Sequence, residues 1–248
     1  MHALFDMTGQ VAVITGGGRG IGEGIAQVFA SAGAAVVVAA RRSDEIERVA
    51  SGIRDDGGQA IAVTTDVTDT DAVAALAARA IEEFGPLTCW VNNAGGSAIR
   101  QPLREIKRSD WDESLALNLT SVWVGCVTAA ANMDHGSIIN ISSRAGYVGV
   151  PGSGHYAAAK AAVNSLTQTM SLEFAPNIRV NGIAPGAVPT EIMMKALSLD
   201  DESVGRLAKN IPLGRLGTPT DMGAAALYLA TEAGSWMTGQ TLILSGGR

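Results

Sequence analysis

Short apolar runs alternate with longer helical patterns along most of the chain. The apolar runs predict seven strands, at residues 11–15, 35–40, 60–64, 87–91, 137–142, 179–183 and 241–244. Between them, Ala-rich stretches predict six helices, at residues 21–32, 43–56, 69–84, 110–131, 156–174 and 219–231. Continuously apolar strands are typical of a sheet that is covered on both faces. This order predicts an α/β protein with a doubly wound, seven-stranded, mostly parallel sheet and helices on both faces.

One segment, residues 190–217, interrupts the regular alternation. It contains Met193, Met194, Leu197 and Leu199, followed by a turn signal at residues 211–214. A long insertion between a strand and the next helix often covers an active site. No linker, low-complexity tract or internal repeat divides the chain. We therefore expect one domain, residues 1–248, in which residues 190–217 form a lid over the substrate.

Composition and charge narrow the class of protein. Hydrophobic residues make up 47% and charged residues 17% of the chain, as in packed globular proteins and unlike disordered ones. The net charge of −6 argues against a nucleic-acid partner, because phosphate backbones need a basic surface. The longest unbroken apolar runs, residues 34–40 among them, are too short to span a membrane, and no signal peptide is visible. We expect a cytoplasmic protein without a membrane partner; its cysteines and histidines lack metal-ligand spacing.

The first predicted strand runs directly into a glycine-rich segment, Thr15-Gly16-Gly17-Gly18-Arg19-Gly20-Ile21-Gly22, and a helix follows. Glycine permits a sharp turn and the close approach of a pyrophosphate. The start of the helix offers unpaired N–H groups and the positive end of its dipole. The spacing is G-x-x-x-G-x-G rather than G-x-G-x-x-G, and a plain tight turn is the alternative. Its place between strand and helix favours a dinucleotide-phosphate site.

The end of the second predicted strand bears on which dinucleotide binds. NAD enzymes usually place Asp or Glu there, to bind the ribose 2′-hydroxyl. In this chain the strand ends at Ala40 and is followed by Arg41 and Arg42. Arg41 and Arg19 are suited to bind a 2′-phosphate together, because a guanidinium matches phosphate geometry. The sequence therefore predicts NADP(H) in preference to NAD(H), unless both arginines are simply solvated loop residues.

Tyr156, Lys160 and Ser143 form the candidate catalytic set. Tyr156 and Lys160 lie four residues apart at the start of a predicted helix, so they share one helix face. A free tyrosine has a pKa near ~10, and a neighbouring ammonium is expected to lower that pKa. Ser143 follows the fifth predicted strand, at the sheet edge where ligands bind in such folds. Its hydroxyl can bind a substrate carbonyl oxygen while Tyr156 transfers the proton.

Taken in order along the chain, these motifs resemble those of the short-chain dehydrogenase/reductase family, in its compact single-domain branch with a Rossmann-type fold. The resemblance covers essentially the whole chain. It implies that Asn118 holds a water linking Lys160 to solvent, and that Lys160 also binds the nicotinamide ribose. It implies a homotetramer that pairs helices 110–131 and 156–174. The residues implied to contact the cofactor are Gly16, Gly18, Arg19, Gly20, Ile21, Gly22, Arg41, Asp66, Val67, Asn93, Ala94, Gly95, Tyr156, Lys160, Pro185, Gly186, Val188 and Thr190.

The substrate pocket is expected to be lined by residues 96–99, 144–150, 187–188 and 190–199, which follow the carboxyl edge of the sheet. Methionines in these segments adapt to irregular apolar shapes. We therefore expect a small-molecule carbonyl or alcohol substrate that is hydrophobic, such as a ketone or a steroid-like alcohol. The apolar side chains on which this expectation depends are Ala98, Ile99, Val148, Val150, Val188, Ile192, Met193, Met194 and Leu197.

Three other functions remain open at this point. A 3-oxoacyl-acyl-carrier-protein reductase would need a basic docking face, which Arg100, Arg104, Lys107 and Arg108 can supply. A non-catalytic regulator that binds dinucleotide would not need Tyr156. An epimerase or dehydratase of the extended branch would be longer, with a larger C-terminal substrate domain.

Overall fold

Seven parallel strands lie side by side at the centre of the computed structural model, which describes residues 3–97, 99–191, 193–194 and 200–247. The strands are β1 (Val11–Thr15), β2 (Ala35–Ala40), β3 (Gln59–Thr64), β4 (Cys89–Asn92), β5 (Gly136–Ile141), β6 (Ile178–Pro185) and β7 (Thr241–Leu244). Their spatial order is β3-β2-β1-β4-β5-β6-β7, and every neighbouring pair is parallel. The chain order reverses between β1 and β4, and such a switch point opens a crevice at the carboxyl edge of a sheet.

Helices cover both faces of this sheet, as predicted. They are α1 (Gly20–Ser31), α2 (Ser43–Asp55), α3 (Thr70–Phe84), α4 (Arg108–Leu115), α5 (Ser121–Ala131), α6 (Gly154–Glu173), α7 (Asp201–Lys209) and α8 (Pro219–Ala230). One hydrophobic core lies between the sheet and α1, α2 and α8, and a second lies between the sheet and α3, α5 and α6. Within β1, Ala12 and Ile14 belong to the first core, whereas Val11 and Val13 belong to the second. Both faces of the sheet are therefore buried under helices, which explains why the strands are continuously apolar.

The predicted helix at residues 110–131 differs from the one in the structure. It begins at Arg108 and consists of α4, a π-helical turn at Ala116–Thr120, and α5. By length and composition alone, this Arg108–Ala131 stretch could cross a membrane, with a mean hydropathy of 1.4. However, α5 packs Val122 and Cys126 into the second core of the sheet. This packing therefore accounts for part of its apolar character.

Other boundaries also differ from the predicted ones. β4 begins at Cys89 rather than residue 87, and β6 extends to Pro185, where it still pairs with Leu244 of β7. α7 was not predicted, and it lies inside the segment 190–217. The side chain of Asp200 caps this helix by accepting a hydrogen bond from the Ser203 N–H at 2.9 Å. An N-cap aspartate is a recognisable helix start, and it is the signal that the sequence interpretation overlooked.

A buried hydrogen-bond network joins the strands that carry the candidate site to the helix that follows them. Asn92 at the end of β4 donates to the Asn140 side chain on β5 at 2.9 Å. Asn140 in turn donates to the Thr167 hydroxyl on α6 at 3.0 Å. The Trp90 indole donates to Asn92 at 2.8 Å, so the amides have partners on several sides. A buried network with all its members bonded is rigid, and this one fixes α6 against β4 and β5.

Candidate active site

A cavity of 960 Å³ opens at the carboxyl edge of the sheet. Residues that follow six of the strands, β1 to β6, line it. The glycine-rich turn after β1 and the segment after β4 lie on either side of the switch point, which is where open α/β sheets bind their ligands.

Every sequence-predicted site residue except Asn118 lines this cavity. Asn118 lies directly behind Gly95: a Cβ atom on Gly95 would lie 2.9 Å from Asn118 Oδ1 and 3.3 Å from Lys160 Nζ. The predicted residues that do line the cavity are Gly16, Gly18, Arg19, Gly20, Ile21, Gly22, Arg41, Asp66, Val67, Asn93, Ala94, Gly95, Ser143, Tyr156, Lys160, Pro185, Gly186, Val188 and Thr190.

The glycine-rich turn needs glycine for its own geometry. Gly16 and Gly20 have positive φ angles of 64° and 56°, and a Cβ atom on Gly22 would lie 2.3 Å from the Gly16 carbonyl oxygen. Asn93 holds the turn from across the switch point, since its side-chain amide donates to the Thr15 and Gly16 carbonyls at 2.8 and 3.0 Å. α1 begins immediately after the turn, and no side chain caps its first N–H groups. Those donors suit a pyrophosphate.

Ser143, Tyr156 and Lys160 converge at what we call the catalytic end of the cavity. The Ser143 hydroxyl accepts a hydrogen bond from the Ala145 N–H at 3.1 Å and also makes a hydrogen bond with Tyr156. The Lys160 ammonium donates to the Ile141 carbonyl at 2.8 Å and lies 5.8 Å from the centroid of the Tyr156 ring. The sequence therefore brings a hydroxyl, a phenol and an ammonium to one place, as predicted from their positions.

A glycine that the sequence interpretation missed permits this convergence. The turn after Ser143 packs directly on α6, and a Cβ atom on Gly146 would lie 2.9 Å from the Lys160 carbonyl oxygen. The backbone of Lys160 is also bonded from the strand side, because the Ser142 hydroxyl donates to its carbonyl at 3.1 Å. Ser143 and Tyr156 are neighbours because the turn and the helix approach each other this closely.

Burial shifts the pKa values at the catalytic end. Lys160 is only 3% exposed, and the loss of water lowers its pKa to about 8. Burial also raises the pKa of Tyr156, although its hydrogen bond with Ser143 opposes that rise. The sequence had led us to expect a lowered pKa for Tyr156 next to an ammonium. That expectation is wrong for this structure because the removal of water from the phenolate outweighs the favourable contacts.

The opposite end of the cavity, which we call the arginine end, consists of Arg19, Arg41, Arg42 and Glu45. Glu45 lies between two of the arginines: one carboxylate oxygen is 2.8 Å from Arg42 and the other is 4.0 Å from Arg19. Arg19 also forms an ion pair with Glu191. The sequence predicted Arg19 and Arg41 here but missed Arg42 and Glu45. The three-residue spacing of Arg42 and Glu45 at the start of α2 was the available signal.

The substrate-facing wall is less apolar than predicted. Val150, Val188 and Met193 line the cavity, whereas Ile99, Val148 and Met194 do not. Ala98, Ile192 and Leu197 lie outside the described residues. Polar side chains share this wall. Ser97 belongs to the predicted lining segment 96–99, whereas the sequence interpretation had not assigned Arg100 and Ser153 to the wall.

A buried histidine contacts a residue of the substrate-facing wall. His155 directly precedes Tyr156 on α6, and its Nε2 atom lies 2.8 Å from the Ser97 hydroxyl. Burial lowers the pKa of His155, which favours the neutral ring. The pair holds Ser97 in place beside the catalytic end.

Comparison with known proteins identifies the family. A sequence model described as enoyl-(acyl carrier protein) reductase matches residues 16–248. The chain is 41% identical to an uncharacterized oxidoreductase of Mycobacterium tuberculosis, over 98% of this chain and 94% of that protein. It is 38% identical to 3beta-hydroxysteroid dehydrogenase 1 of Eggerthella lenta, over 98% of this chain and 94% of that protein. It is 37% identical to a 3-oxoacyl-[acyl-carrier-protein] reductase of Chlamydia muridarum, over 97% and 98%. The chain belongs to the short-chain dehydrogenase/reductase family.

Solved structures of short-chain dehydrogenases/reductases share its fold. A 7 alpha-hydroxysteroid dehydrogenase complexed with NADH and 7-oxo glycochenodeoxycholic acid is 37% identical and superposes with a TM-score of 0.93, covering 100% of this chain and 97% of that one. A gluconate 5-dehydrogenase from Burkholderia cenocepacia in complex with NADP and tartrate is 36% identical, with a TM-score of 0.91 and coverage of 98% and 96%. The protein is therefore an oxidoreductase with a Rossmann-like fold that acts on alcohol or carbonyl substrates.

Proposed function

We propose that the protein is an NADP(H)-dependent carbonyl reductase or alcohol dehydrogenase whose substrate has a largely apolar body. One observation carries the proposal. Ser143, Tyr156 and Lys160 converge at one end of a cavity that is also lined by the glycine-rich turn. A purely regulatory dinucleotide-binding protein would not need a phenol, a hydroxyl and a buried ammonium in contact range of each other.

The chemistry assigned to these side chains is proton transfer. Hydride would come to a carbonyl carbon from a bound nicotinamide dinucleotide, or pass to it from an alcohol. Tyr156 donates its phenolic proton to the substrate oxygen during reduction and takes it back during oxidation, while the Ser143 hydroxyl binds the same oxygen. Ser143 is suited to this because the Ala145 N–H already fixes the position of its oxygen.

Lys160 and Asn118 are the candidates for returning the proton to Tyr156. Burial brings the pKa of Lys160 to about 8, so its ammonium can lose and regain a proton near neutral pH. Asn118 lies on the other side of Gly95 from the cavity, and its amide is fixed by the Gly96 N–H and by the carbonyls of Gly96 and Ser114 at 2.8 to 3.0 Å. In this scheme a water between Asn118 and Lys160 links the ammonium to solvent.

The residues that line the cavity fit a dinucleotide. The uncapped start of α1 would bind the pyrophosphate, and Asp66 after β3 would bind the adenine end. Hydrogen bonds from Thr68, together with the nearby Arg41, lower the pKa of Asp66, so it is a carboxylate at neutral pH. Preference for NADP(H) rests on Ala40, which provides no carboxylate for a 2′-hydroxyl, and on Arg41. Among the described side chains, no carboxylate oxygen lies within 4 Å of Arg41, although Asp66 is near enough to feel its charge.

An apolar ketone or secondary alcohol is favoured over an acyl-carrier-protein thioester. The basic face that such a carrier needs is partly neutralised, because Arg104 pairs with Glu105 at 3.2 Å and Arg108 pairs with Asp112 at 2.7 Å. Val150, Val188 and Met193 give the substrate wall apolar surface for a bulky substrate. Residues 190–217, which include α7, are proposed to be the lid over it, within a single domain; residues 192 and 195–199 of this segment lie outside the described part of the chain.

A cytoplasmic homotetramer is the proposed form of the protein. Large apolar side chains are exposed on the helices and C-terminal elements through which such an assembly would form: Trp123 and Val127 on α5, Leu172 on α6, Tyr228 on α8, Trp236, and Ile243 on β7. A homotetramer that pairs these elements would bury these side chains. Sedimentation is expected to give four times the chain mass of 25.4 kDa, and a monomer at micromolar concentration would contradict the assembly.

A substrate screen tests the function directly. The enzyme is incubated with NADPH or NADH and with a steroid ketone, a small aliphatic ketone, a sugar or an acetoacetyl thioester, and cofactor absorbance is followed. We expect the highest kcat/KM with NADPH and the steroid ketone. A clear preference for the thioester would favour the acyl-carrier-protein reductase, and no turnover with any member would favour the regulator.

A further inference from the structure

The arginine end of the cavity contains a carboxylate where a 2′-phosphate would need only positive charge. Glu45 lines the cavity, its side chain is 22% exposed, and it contacts both Arg42 and Arg19. It is held against the glycine-rich turn, since a Cβ atom on Gly18 would lie 3.0 Å from the Glu45 Cβ. The backbone of α2 therefore keeps Glu45 next to the turn, and its carboxylate lies near Arg42 and Arg19.

A carboxylate at this position affects the two dinucleotides differently. It repels a doubly charged 2′-phosphate, and it occupies two of the guanidinium groups that would otherwise bind that phosphate. A neutral 2′-hydroxyl experiences neither effect. Among the arginines of this end, only Arg41 is without an ion-pair partner in the described part of the chain.

We propose that Glu45 is a cofactor-discriminating residue that weakens the binding of NADP(H) relative to NAD(H). This inference rests on the proposed function, which places the 2′ position of the cofactor at the arginine end. Glu45 thereby narrows the preference that Arg41 and Ala40 create, so that the chain accepts both dinucleotides.

Glu45→Gln tests this inference through binding rather than turnover. Dissociation constants for NADPH and NADH are measured by fluorescence titration of the whole protein without substrate. We expect the Kd for NADPH to fall about tenfold and the Kd for NADH to change less than about twofold. The matched control is Glu47→Gln, on the same helix, where the glutamate pairs with Arg54 and does not line the cavity. It should leave both constants unchanged.

The outcomes separate this inference from the cofactor preference itself. If Glu45→Gln changes both constants equally, or neither of them, Glu45 does not discriminate and the inference is overturned. If the wild-type protein binds NADH more tightly than NADPH, the proposed preference for NADP(H) is wrong. The effect of Glu45 can still be read in that case, because it is measured as a change in the ratio of the two constants.

A separate observation concerns the substrate-facing wall. Arg100 lines the cavity, and its guanidinium donates to the Pro151 carbonyl at 3.0 Å. Its backbone is fixed against the same loop, because the Gln101 N–H donates to the Gly152 carbonyl at 3.0 Å. Within the described ranges no carboxylate oxygen lies within 4 Å of this guanidinium, whereas Arg104 and Arg108 each have a carboxylate partner.

The acidic residues that line the cavity lie elsewhere. Glu45 and Asp66 follow β2 and β3, at the far edge of the sheet from β5 and β6, and Glu191 is paired with Arg19. The substrate-facing wall therefore carries a guanidinium, held by one of its five donors, with no described counter-charge. A guanidinium with free donors is suited to bind a carboxylate.

We propose that Arg100 binds an ionised acid group of the substrate, away from the carbon that reacts. This narrows the proposed function, on which it rests, to keto acids or hydroxy acids that have an apolar body. The apolar part would contact Val150 and Val188, while the acid group would lie at the cavity mouth beside Ser153.

A matched pair of substrates tests the acid site. One cyclic ketone is supplied as its free carboxylic acid and as its methyl ester, and kcat/KM is measured for both. We expect the acid to be preferred about tenfold in the wild-type enzyme through a lower KM, and Arg100→Gln to remove the preference. Arg104→Gln, at an arginine that already has a carboxylate partner, is the control and should retain it.

Equal use of acid and ester by the wild-type enzyme, or a preference that survives Arg100→Gln, would overturn the acid site and leave the reductase function intact. Reduction of neither compound, nor of any other ketone in the substrate screen, would instead refute the proposed function and the acid site with it.

Discussion

The catalytic end and the arginine end of the cavity differ in how their charges are held. At the catalytic end, Lys160 is 3% exposed and bonded to a backbone carbonyl, and burial sets its pKa. At the arginine end, the side chains of Arg19 and Arg42 are 33% and 50% exposed and are paired with carboxylates in contact with water. Exposed ion pairs contribute only about 0–1 kcal/mol each. The buried interior of the fold therefore holds the proton-transfer groups in place. The proposed cofactor preference depends instead on weak, exposed ion pairs, which single substitutions can change.

The largest expected effect is at the phenol of the catalytic end. Tyr156→Phe should lower kcat about a thousandfold, because a positioned acid or base contributes roughly 10²–10⁴ to the rate. Dinucleotide binding should remain, since the ring is retained. Steady-state kinetics and a cofactor titration check both expectations. Tyr228→Phe, on α8 and outside the cavity, is the control. A variant at Tyr156 that kept most of the wild-type kcat would refute its role as the proton donor.

The next effect is the pH dependence of stability that the buried ammonium causes. The pKa of Lys160 is lowered from 10.5 to about 8 in the folded protein, so between these values the unfolded chain binds more protons than the folded one. Stability of the wild type should therefore rise with pH across this window, by about 3 kcal/mol relative to Lys160→Met. Urea unfolding at pH 7.5 and pH 10.5 measures the difference.

Lys209→Met, at an exposed lysine on α7, is the control for this measurement. Its free energy of unfolding should change with pH as that of the wild type does. Parallel curves for wild type and Lys160→Met would mean that burial does not disfavour the ammonium. The two ends of the cavity would then not differ in the way described.

A smaller effect is expected from a new charge at the arginine end. Ala40→Asp should lower kcat/KM with NADPH relative to NADH about tenfold or more, because the added carboxylate repels a 2′-phosphate and accepts a hydrogen bond from a 2′-hydroxyl. Ser43→Asp adds the same charge outside the cavity lining. It should change the ratio of kcat/KM with NADPH to kcat/KM with NADH by less than about threefold. Similar ratios for both variants would show that the charge alone, and not its position at the end of β2, matters.

The smallest effect is on stability at the same end. Arg42→Gln removes the 2.8 Å ion pair with Glu45, and the free energy of unfolding should fall by less than about 1 kcal/mol because the arginine is half exposed. Urea denaturation measures this change. A loss above about 2 kcal/mol would mean that the pair supports the fold, which would contradict the contrast between the two ends.

The fold and the placement of the site could be predicted from sequence for one physical reason. Strands covered on both faces are continuously apolar, and the residues that follow them meet at one sheet edge. Ser143 could be placed on this ground alone, and the Tyr156–Lys160 pair because four residues make about one helical turn. Asp66 was assigned through the family resemblance. These are local regularities that require no knowledge of packing distances.

What could not be predicted depends on distances between separate segments. The contact of Glu45 with Arg19 depends on how closely α2 approaches the glycine-rich turn. The raised pKa of Tyr156 depends on how much water is excluded around it, which residue spacing does not reveal. Arg100 was assigned to a docking face because its neighbours in sequence are basic, although its guanidinium bonds to a loop fifty residues away.

The π-helical turn at Ala116–Thr120 has a consequence for how this chain tolerates insertions and deletions. Such a turn holds one residue more than the matching stretch of a regular helix, so it accommodates an extra residue locally. Deleting one residue from it, other than Asn118, would leave a continuous helix from α4 to α5 and would keep Val122 buried and Trp123 exposed. A one-residue deletion inside α4 would instead rotate the residues on its two sides relative to each other by about 100°. We therefore expect a deletion in this turn to be tolerated better than a deletion of one residue inside α4.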